Sequence, residues 1–298
     1  MDLGIPYMGS KRKLAPKIIR TITYRHSEIT DFYDLFGGGG SVSFLALKDY
    51  NFNVHYNELN THIFSLVEYL KNNKNLDPKF YNWVSREEFQ KQCNRTDADW
   101  YSGFVMSCWS FGNNQQTYLY GKEIEESKKL AHDIVVNLDE EAMFKLGLNI
   151  SELFKIKDLH KRRTIFRKNS RLERLERLEH LEHLEHLEHL ERLEHLEHLE
   201  LTNKSYEDVL ITGDNPVIYC DIPYKGTAKY KEGDFDHDTF YEWFSNLDFP
   251  AYMSEYSAPF ERVEMFKHRG ILSPTSNNAV FESLFWNGKG DINNYKLF

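Results

Sequence analysis

The stretch "DFYDLFGGGGSVSF", residues 31–44, decides the fold that the sequence predicts. Its first part is typical of a strand that ends at Asp34, the glycines Gly37 to Gly40 predict a turn, and a helix is predicted to begin at Ser41. Glycine tolerates positive φ and lets a ligand approach the backbone closely. This order of strand, glycine turn and helix indicates a ligand-binding loop in an α/β fold.

Helix and strand patterns alternate on either side of this stretch. Before it, "KRKLAPKIIRTIT" has helical spacing; after it, "NVHYNELN" is predicted as a strand and "THIFSLVEYLKNN" as a helix. The C-terminal third resumes the alternation with the strand "PVIYCDIPY", the helix "DHDTFYEWFSNL", the strand "FPAYMSEYS" and the helix "APFERVEMF". This order predicts an α/β fold with a mostly parallel sheet flanked by helices.

The alternation breaks in the middle of the chain, which predicts an inserted region. We divide the 298 residues into a first catalytic part at 1–115, a mainly helical insertion at 116–213 and a second catalytic part at 214–298. The insertion contains the basic run "KIKDLHKRRTIFRKNSR", which is either a solvated face or a phosphate-binding surface. Its candidate contacts with nucleic-acid phosphates are Lys161, Arg162, Arg163, Arg167 and Lys168.

Ten triplets, "RLE" or "HLE", form an array at 171–200. Leucine at every third residue drifts around an α-helix by about 60° per triplet but forms a straight stripe on a 3₁₀-helix, so we expect substantial 3₁₀ character. We expect the array to serve as a spacer, an arm or an association surface. Its histidines are expected to be solvated rather than metal-bound; they are His180, His183, His186, His189, His195 and His198.

The composition narrows the class of protein. Hydrophobic residues are 41% of the chain, and no apolar run approaches the roughly 20 residues that cross a bilayer. The N-terminus lacks the apolar core of a signal peptide, and Cys93, Cys108 and Cys220 form no paired motif, so we expect a cytoplasmic protein without a metal site. Of the net charge of −9, the array contributes −6 through ten Glu and four Arg, so a nucleic-acid partner is not excluded.

Glu58 follows the strand pattern "NVHYN" and lies 19 residues after Gly39. A carboxylate in this position, beside a glycine turn, can accept hydrogen bonds from both hydroxyls of a ribose. The run of four glycines matches the GxGxxG pattern of dinucleotide-binding folds poorly. These residues predict a nucleoside-bearing cofactor and leave NAD and S-adenosylmethionine as alternatives.

The segment "DIPY", Asp221 to Tyr224, decides between these cofactors. The amino group of adenine or cytosine is a poor nucleophile because its lone pair is delocalised into the ring. The Asp221 carboxylate and the Ile222 carbonyl can hold the two amino hydrogens and aim the lone pair outwards. Pro223 stiffens the turn, and Tyr224 can stack on a base that has been flipped out of the duplex. The segment favours methyl transfer to a base amino group, achieved mainly by positioning.

These motifs together resemble the Dam-like DNA adenine N6-methyltransferases, the alpha group of amino-methyltransferases, and especially their phage and prophage members. "PYMGSKRKL" resembles the N-terminal cofactor motif, "DLFGGGGSV" the D-x-F-x-G-x-G loop and "DIPY" the [DNS]PP[YFW] motif of that family. "MSCWSFGNN", "HDTFYEW" and "MSEYSAP" are similar to further family segments. The resemblance implies a Rossmann-like S-adenosylmethionine-dependent methyltransferase fold with an inserted target-recognition region.

The resemblance also implies the roles of individual residues. The residues expected to contact S-adenosylmethionine are Tyr7, Lys11, Phe36, Gly37, Gly39, Glu58 and Asp221. The catalytic residues are expected to be Asp221, Ile222, Pro223 and Tyr224, which act on the N6 amino group of a flipped-out adenine in double-stranded DNA. Ile222 stands where the family motif has a proline, but it keeps the backbone carbonyl that the reaction needs. The triplet array is a second departure, so the recognised DNA sequence does not follow from the resemblance.

A site-specific DNA adenine methyltransferase is thus the leading hypothesis. The alternatives are a catalytically weak DNA-binding relative, an RNA adenine methyltransferase and, as a distant fourth, a nicotinamide oxidoreductase. The expected partner is duplex DNA rather than a membrane, and the expected state is a monomer or weak dimer. A bacterial cytoplasm, a phage origin and a place in restriction–modification are further expectations from the resemblance.

Overall fold

The structure is a computed structural model that describes residues 3–172, 178, 180–193, 196–225, 235–269 and 279–290. Array residues 173–177, 179 and 194–195, the last of which is His195, lie outside the described residues. The chain divides into two compact units. The first comprises Met1–Gly4, Gly9–Asn72 and Leu193–Phe298, and the second comprises Ile5–Met8 and Asn73–Arg192.

The first unit is built on a seven-stranded sheet. Its strands are β1 (Asp31–Asp34), β2 (Asn53–Asn57), β3 (Leu199–Thr202), β4 (Pro216–Cys220), β5 (Ala251–Glu255), β6 (Glu261–Arg269) and β7 (Ala279–Trp286). Their order in the sheet is β3-β2-β1-β4-β5-β7-β6. β7 runs antiparallel to both of its neighbours, and the other pairs are parallel. The prediction of an α/β fold with a mostly parallel sheet is confirmed.

Ten α-helices lie among the described residues. They are α1 (Ala15–Arg25), α2 (Ser41–Asp49), α3 (Thr61–Asn72), α4 (Arg86–Cys93), α5 (Trp100–Cys108), α6 (Lys122–His132), α7 (Glu140–Lys145), α8 (Leu159–Leu172), α9 (Glu182–Glu191) and α10 (His237–Asn246). The first unit contains α1, α2, α3 and α10, and the second contains α4 to α9. None of these described helices has the length and apolar character needed to span a membrane.

The central strands of the sheet are buried along their whole length. Every residue of β1, β4 and β5 is buried, as expected for parallel strands covered on both faces. On one face, Ile218 and Met253 pack with Phe240 and Phe244 of α10. The apolar runs that predicted these strands therefore form the core. This core supports the residues at the carboxyl ends of the strands.

The C-terminal segment 258–266 was predicted as a helix, and this prediction is wrong. Residues Glu261–Arg269 form β6, which pairs antiparallel with β7 along its length. Phe266 is buried, whereas Met265 beside it is exposed, so adjacent side chains lie on opposite sides as in a strand. Pairing with a strand distant in sequence outweighs the local helical spacing, which contains no information about β7.

The boundaries of the second unit differ from the predicted insertion at 116–213. The unit begins at Asn73 and ends at Arg192, because α4 and α5 belong to it and because the end of the array does not. Leu199 and Glu200 lie in β3, where they pair with Val54 and His55 of β2. The array thus contributes to both units.

The array is α-helical over Glu182–Glu191, so the prediction of 3₁₀ character is wrong for that segment. Among the described array residues, 3₁₀ conformation occurs at Leu178 and in the turn Leu196–His198. Leucines at every third position wind around an α-helix and reach several sides of it. Such a helix is stable where it is surrounded, and Leu184, Leu187 and Leu190 of α9 are all buried.

Polar side chains of the array also dock within the second unit. The buried His183 lies between the Tyr120 hydroxyl, 2.7 Å from its Nδ1, and Nδ1 of His132, 2.9 Å from its Nε2. Burial lowers the pKa of His132 to about 4 and holds the pKa of His183 well below its ordinary value, so both stay neutral. No group of described side chains has the make-up of a metal site. His183 is therefore buried and links Tyr120 to His132, contrary to the expectation that it is solvated.

The burial of the array leucines predicts a specific loss of stability. Leu187→Ala should lower the free energy of unfolding by about 2–5 kcal/mol, because Leu187 is 1% exposed and its removal leaves a cavity. Leu210→Ala, the same change at a leucine that is 77% exposed, should alter it by less than about 0.5 kcal/mol. Denaturant unfolding measures both values. If both substitutions change the free energy of unfolding by equally small amounts, the interpretation of the array as a loose spacer is favoured.

Candidate active site

Carboxylates stand at the carboxyl ends of four parallel strands of the first unit. Asp34 is the last residue of β1 and Glu255 the last of β5, while Glu58 follows β2 and Asp221 follows β4. Because the carboxyl ends of parallel strands meet at the same edge, these acids share one side of the sheet. This is the edge at which open α/β sheets bind ligands.

Lys11 supplies the positive charge at this edge. Its Nζ lies 2.8 Å from Oδ1 of Asp221 and 3.6 Å from Oε1 of Glu282 on β7. The same nitrogen donates to the Gly9 carbonyl at 3.1 Å and lies 4.8 Å from the centre of the Tyr224 ring. One buried ammonium thus contacts the acid and the aromatic ring of the "DIPY" segment.

The electrostatic balance at Asp221 depends on this ammonium. Burial raises the pKa of Asp221 to about 6, the positive charge of Lys11 lowers it, and the negative charge of Glu282 raises it. Burial and the neighbouring carboxylates hold the pKa of the Tyr224 hydroxyl well above its ordinary value, so the phenol stays protonated. At neutral pH the Asp221 side chain is a carboxylate and therefore accepts hydrogen bonds.

Ile222, the residue that departs from the family motif, has its side chain in the core. It is 2% exposed and belongs to the cluster that contains Phe240, Phe244 and Met253. An apolar side chain is therefore suited to this position. The backbone carbonyl is unaffected by the exchange of proline for isoleucine.

The glycine turn leaves no room for side chains. A Cβ at Gly37 would lie 2.2 Å from the Tyr56 ring, whose hydroxyl donates to the Gly38 carbonyl at 2.7 Å. Gly38 and Gly40 have φ of +48° and +71°, which side chains disfavour. The turn begins at Phe36, whose half-buried ring packs on Tyr206 with centroids 5.4 Å apart.

Glu58 braces this turn. Its Oε2 accepts a hydrogen bond from the Gly38 N–H and its Oε1 one from the Asn60 N–H, both at 2.7 Å. The two contacts hold the Glu58 carboxylate against the glycine turn at the edge of the sheet. A tight glycine turn with a carboxylate beside it, at the carboxyl edge of the sheet, fits a nucleoside-bearing cofactor.

A comparison with protein families shows the family of the chain. Residues 7–277 match the family model of the D12 class N6 adenine-specific DNA methyltransferases. The chain belongs to this family. A comparison with curated proteins gave no match. The "DIPY" segment, the glycine turn and Lys11 all lie within the matched range, and the chain is an adenine N6-methyltransferase that acts on DNA.

The predicted site residues of this methyltransferase are distributed over the two units. The first unit contains Lys11, Phe36, Gly37, Gly39, Glu58, Asp221, Ile222, Pro223 and Tyr224. Of these, the structure brings Lys11 into contact with Asp221 and Tyr224. Tyr7 lies in the segment Ile5–Met8 of the second unit and is half-buried.

Two of the five predicted DNA contacts are engaged within the second unit. Arg162 donates from Nη1 to the carbonyls of Val135 and Val136, both at 2.9 Å. Nη2 of Arg163 lies 2.5 Å from Oε2 of Glu188 on α9, so this residue joins α8 to the array. Lys161 and Lys168 are exposed, and Arg167 is half-buried. The surface available to phosphates is therefore smaller than the basic run indicates.

Three residues near the "DIPY" segment were missed by the sequence analysis. Glu282 is 4% exposed and faces Lys11, and its signal was a carboxylate in the otherwise apolar run "AVFESLFW". Glu255 is the last residue of β5, and Asp221 directly follows β4. The criterion that singled out Asp221, a carboxylate at the end of a buried strand, therefore also applied to Glu255. His237 contacts the Pro223 carbonyl at 2.9 Å, and no sequence pattern indicated this contact.

The ion pair predicts a shift in the titration of Asp221. Lys11→Met should raise the pKa of Asp221 above its present value of about 6, by about one unit or more, because two buried carboxylates lose their cation. Carbon-13 NMR of aspartate-labelled protein, assigned with Asp221→Asn, measures the midpoint. Lys13→Met, which neutralises an exposed lysine two residues away, should leave it in place. An unmoved midpoint in Lys11→Met would show that Lys11 does not stabilise the Asp221 anion.

Proposed function

We propose that the first unit methylates the N6 amino group of an adenine flipped out of double-stranded DNA, with Asp221 and Ile222 as the acceptors that hold this group. The observation that carries the proposal is the ionised Asp221 after β4, paired with Lys11 at 2.8 Å. A carboxylate that engages one cation still has acceptor positions for an amino hydrogen. The Ile222 carbonyl would accept the other hydrogen.

These acceptors would prepare the adenine for reaction. When both amino hydrogens are held, the nitrogen lone pair is directed away from the acceptors and towards the methyl donor. Tyr224, with its phenol kept neutral and its ring beside Lys11, would stack on the flipped base. After transfer, the methylated nitrogen loses one proton, and the nearby carboxylate of Asp221 is suited to accept it.

S-adenosylmethionine is the proposed cofactor of this site. When bound, it supplies a methyl group on a positively charged sulfur. Gly37 and Gly39 would let it approach the backbone, and Glu58 would accept hydrogen bonds from its ribose hydroxyls. Lys11, Asp221, Phe36 and Tyr7 are the further proposed contacts. The fit is supported by the glycine turn at the carboxyl edge of the sheet and by the Glu58 carboxylate bound to its Gly38 N–H.

The second unit is proposed to recognise the target sequence in DNA. Its exposed cations Lys161 and Lys168, together with Arg167, are the proposed phosphate contacts, and Arg162 and Arg163 would act indirectly by fixing α8. The setting that we propose is the cytoplasm of a bacterial host, with the chain acting as a monomer or weak dimer. A phage origin and a role in restriction–modification belong to the same proposal.

Transfer of a tritiated methyl group from S-adenosylmethionine tests the function. Duplex DNA should be labelled, in preference to RNA, and Asp221→Ala should reduce the rate by about 10²–10³-fold because one of two preorganised acceptors is lost. Sequencing of methylated adenines in bacteria that express the protein supplies the recognised sequence for the assay. Equal transfer by the wild type and Asp221→Ala would refute the assignment of Asp221.

Salt dependence tests the proposed phosphate contacts. Replacing Lys161 and Lys168 together by alanine should weaken DNA binding and flatten the plot of log K against log salt by about 1.8, the value for two lost phosphate contacts. Lys145→Ala removes an exposed lysine of α7 that pairs with Glu141. It is the matched control and should keep the wild-type slope. If the double variant keeps the wild-type slope, the basic run is better interpreted as a solvated face.

A further inference from the structure

Tyr224 is held by a half-buried histidine, His237, and a buried glutamate, Glu255, neither of which the proposed reaction uses. Nε2 of His237 donates a hydrogen bond to the Pro223 carbonyl at 2.9 Å. Oε2 of Glu255 accepts one from the Lys225 N–H at 3.1 Å. The two side chains also approach each other, with 3.7 Å between His237 Nε2 and Glu255 Oε2. The pair therefore contacts the peptide group on each side of Tyr224.

These contacts restrain both backbone torsions of Tyr224. A peptide group is planar, so its orientation at each side of a Cα sets φ and ψ. His237 holds the peptide that joins Pro223 to Tyr224, and Glu255 holds the next one. With both planes restrained, the direction of the Tyr224 side chain is restrained as well.

Glu255 extends this restraint to a second aromatic ring. Its Oε1 accepts a hydrogen bond from the Tyr256 N–H at 2.6 Å. The Tyr256 ring meets the Tyr224 ring edge to face, with centroids 4.7 Å apart and planes at 75°. Glu255 is 1% exposed, so this carboxylate anchors both tyrosines from within the unit.

His237 also lies close to a second backbone carbonyl. Its Nδ1 is 3.1 Å from the Phe235 carbonyl, while its Nε2 contacts the Pro223 carbonyl. The ring is therefore placed between two backbone segments, which limits its movement.

We propose that His237 and Glu255 form a positioning clamp that fixes Tyr224 for stacking on the flipped adenine. The inference rests on the proposed role of Tyr224. Neither clamp residue touches the reacting atoms; each acts through the backbone of the "DIPY" segment. A small displacement of a positioned group can cost about 10²-fold in rate, which makes the clamp measurable in catalysis.

Kinetics of His237 variants test the clamp. His237→Leu should lower kcat by about 10–100-fold and change the KM for S-adenosylmethionine little, because His237 contacts neither the glycine turn nor Glu58. His237→Gln keeps one N–H donor for the Pro223 carbonyl and should fall between Leu and the wild type. The matched control is His198→Leu, which removes a histidine with a 72% exposed side chain and should keep the wild-type kcat.

A fluorescence readout separates the clamp from a general structural role. Duplex DNA with 2-aminopurine at the target position gives a bright signal when the base is flipped and a quenched signal when it stacks on Tyr224. His237→Leu and Tyr224→Ala should both brighten the complex, with thermal unfolding at the wild-type temperature. Wild-type kcat and fluorescence in a folded His237→Leu, beside a defective Tyr224→Ala, would overturn the clamp.

The same experiment distinguishes failure of the underlying function. Wild-type kcat in Tyr224→Ala would refute the stacking role of Tyr224 itself, and the clamp with it. If His237→Leu does not fold, the comparison of kcat and fluorescence between the wild type and His237→Gln tests the clamp instead. Equal kcat and equal fluorescence in those two proteins would count against the clamp.

Discussion

The edge of the sheet that carries the candidate active site depends on one ion pair, between the ammonium of Lys11 and the carboxylate of Asp221. Four parallel strands deliver acids to a single edge, and buried like charges destabilise one another. Glu282 also lies 3.6 Å from the same nitrogen. Burial and Glu282 raise the pKa of Asp221, and the positive charge of Lys11 lowers it. Lys11 lies in the turn before α1, where its carbonyl accepts a hydrogen bond from the Ala15 N–H at 2.7 Å, so the start of this helix also fixes the cation. Fold and acceptor chemistry are therefore coupled through one side chain.

Around that pair, the site is stiffened mainly through backbone contacts. Glu58 holds the glycine turn by the Gly38 N–H, while His237 and Glu255 hold the peptides beside Tyr224. A reaction that proceeds by positioning needs rigid acceptors and a fixed stacking ring, rather than a strong acid or base. The acids at this edge therefore differ in role. Some are suited to contact ligands, and others hold the backbone of the segments that are proposed to contact them.

The triplet array has a structural part in both units despite its low complexity. Its leucine spacing, three where an α-helix has 3.6 residues per turn, spreads apolar side chains around α9. A helix with that pattern needs partners on several sides, and the burial of Leu184, Leu187 and Leu190 meets this need. His183 adds a buried polar connection that burial keeps neutral. The array then ends in β3, which pairs with β2 of the sheet.

The sequence by itself determined the local elements and the motif order: the strand into the glycine turn, Glu58 after β2, and the acid of "DIPY" after a buried strand. Those features follow from hydrophobic periodicity and from residue types at strand ends, which are local. Only the tertiary structure decided that Glu261–Arg269 is a strand and that array residues Glu182–Glu191 form an α-helix with buried leucines. It also decided that Arg162 and Arg163 are engaged within the second unit. It also brought Glu282, Glu255 and His237 to the site. The physical reason is the same in each case: strand pairing, burial and ion pairs depend on partners far away in the chain, and no local pattern records which partner is met.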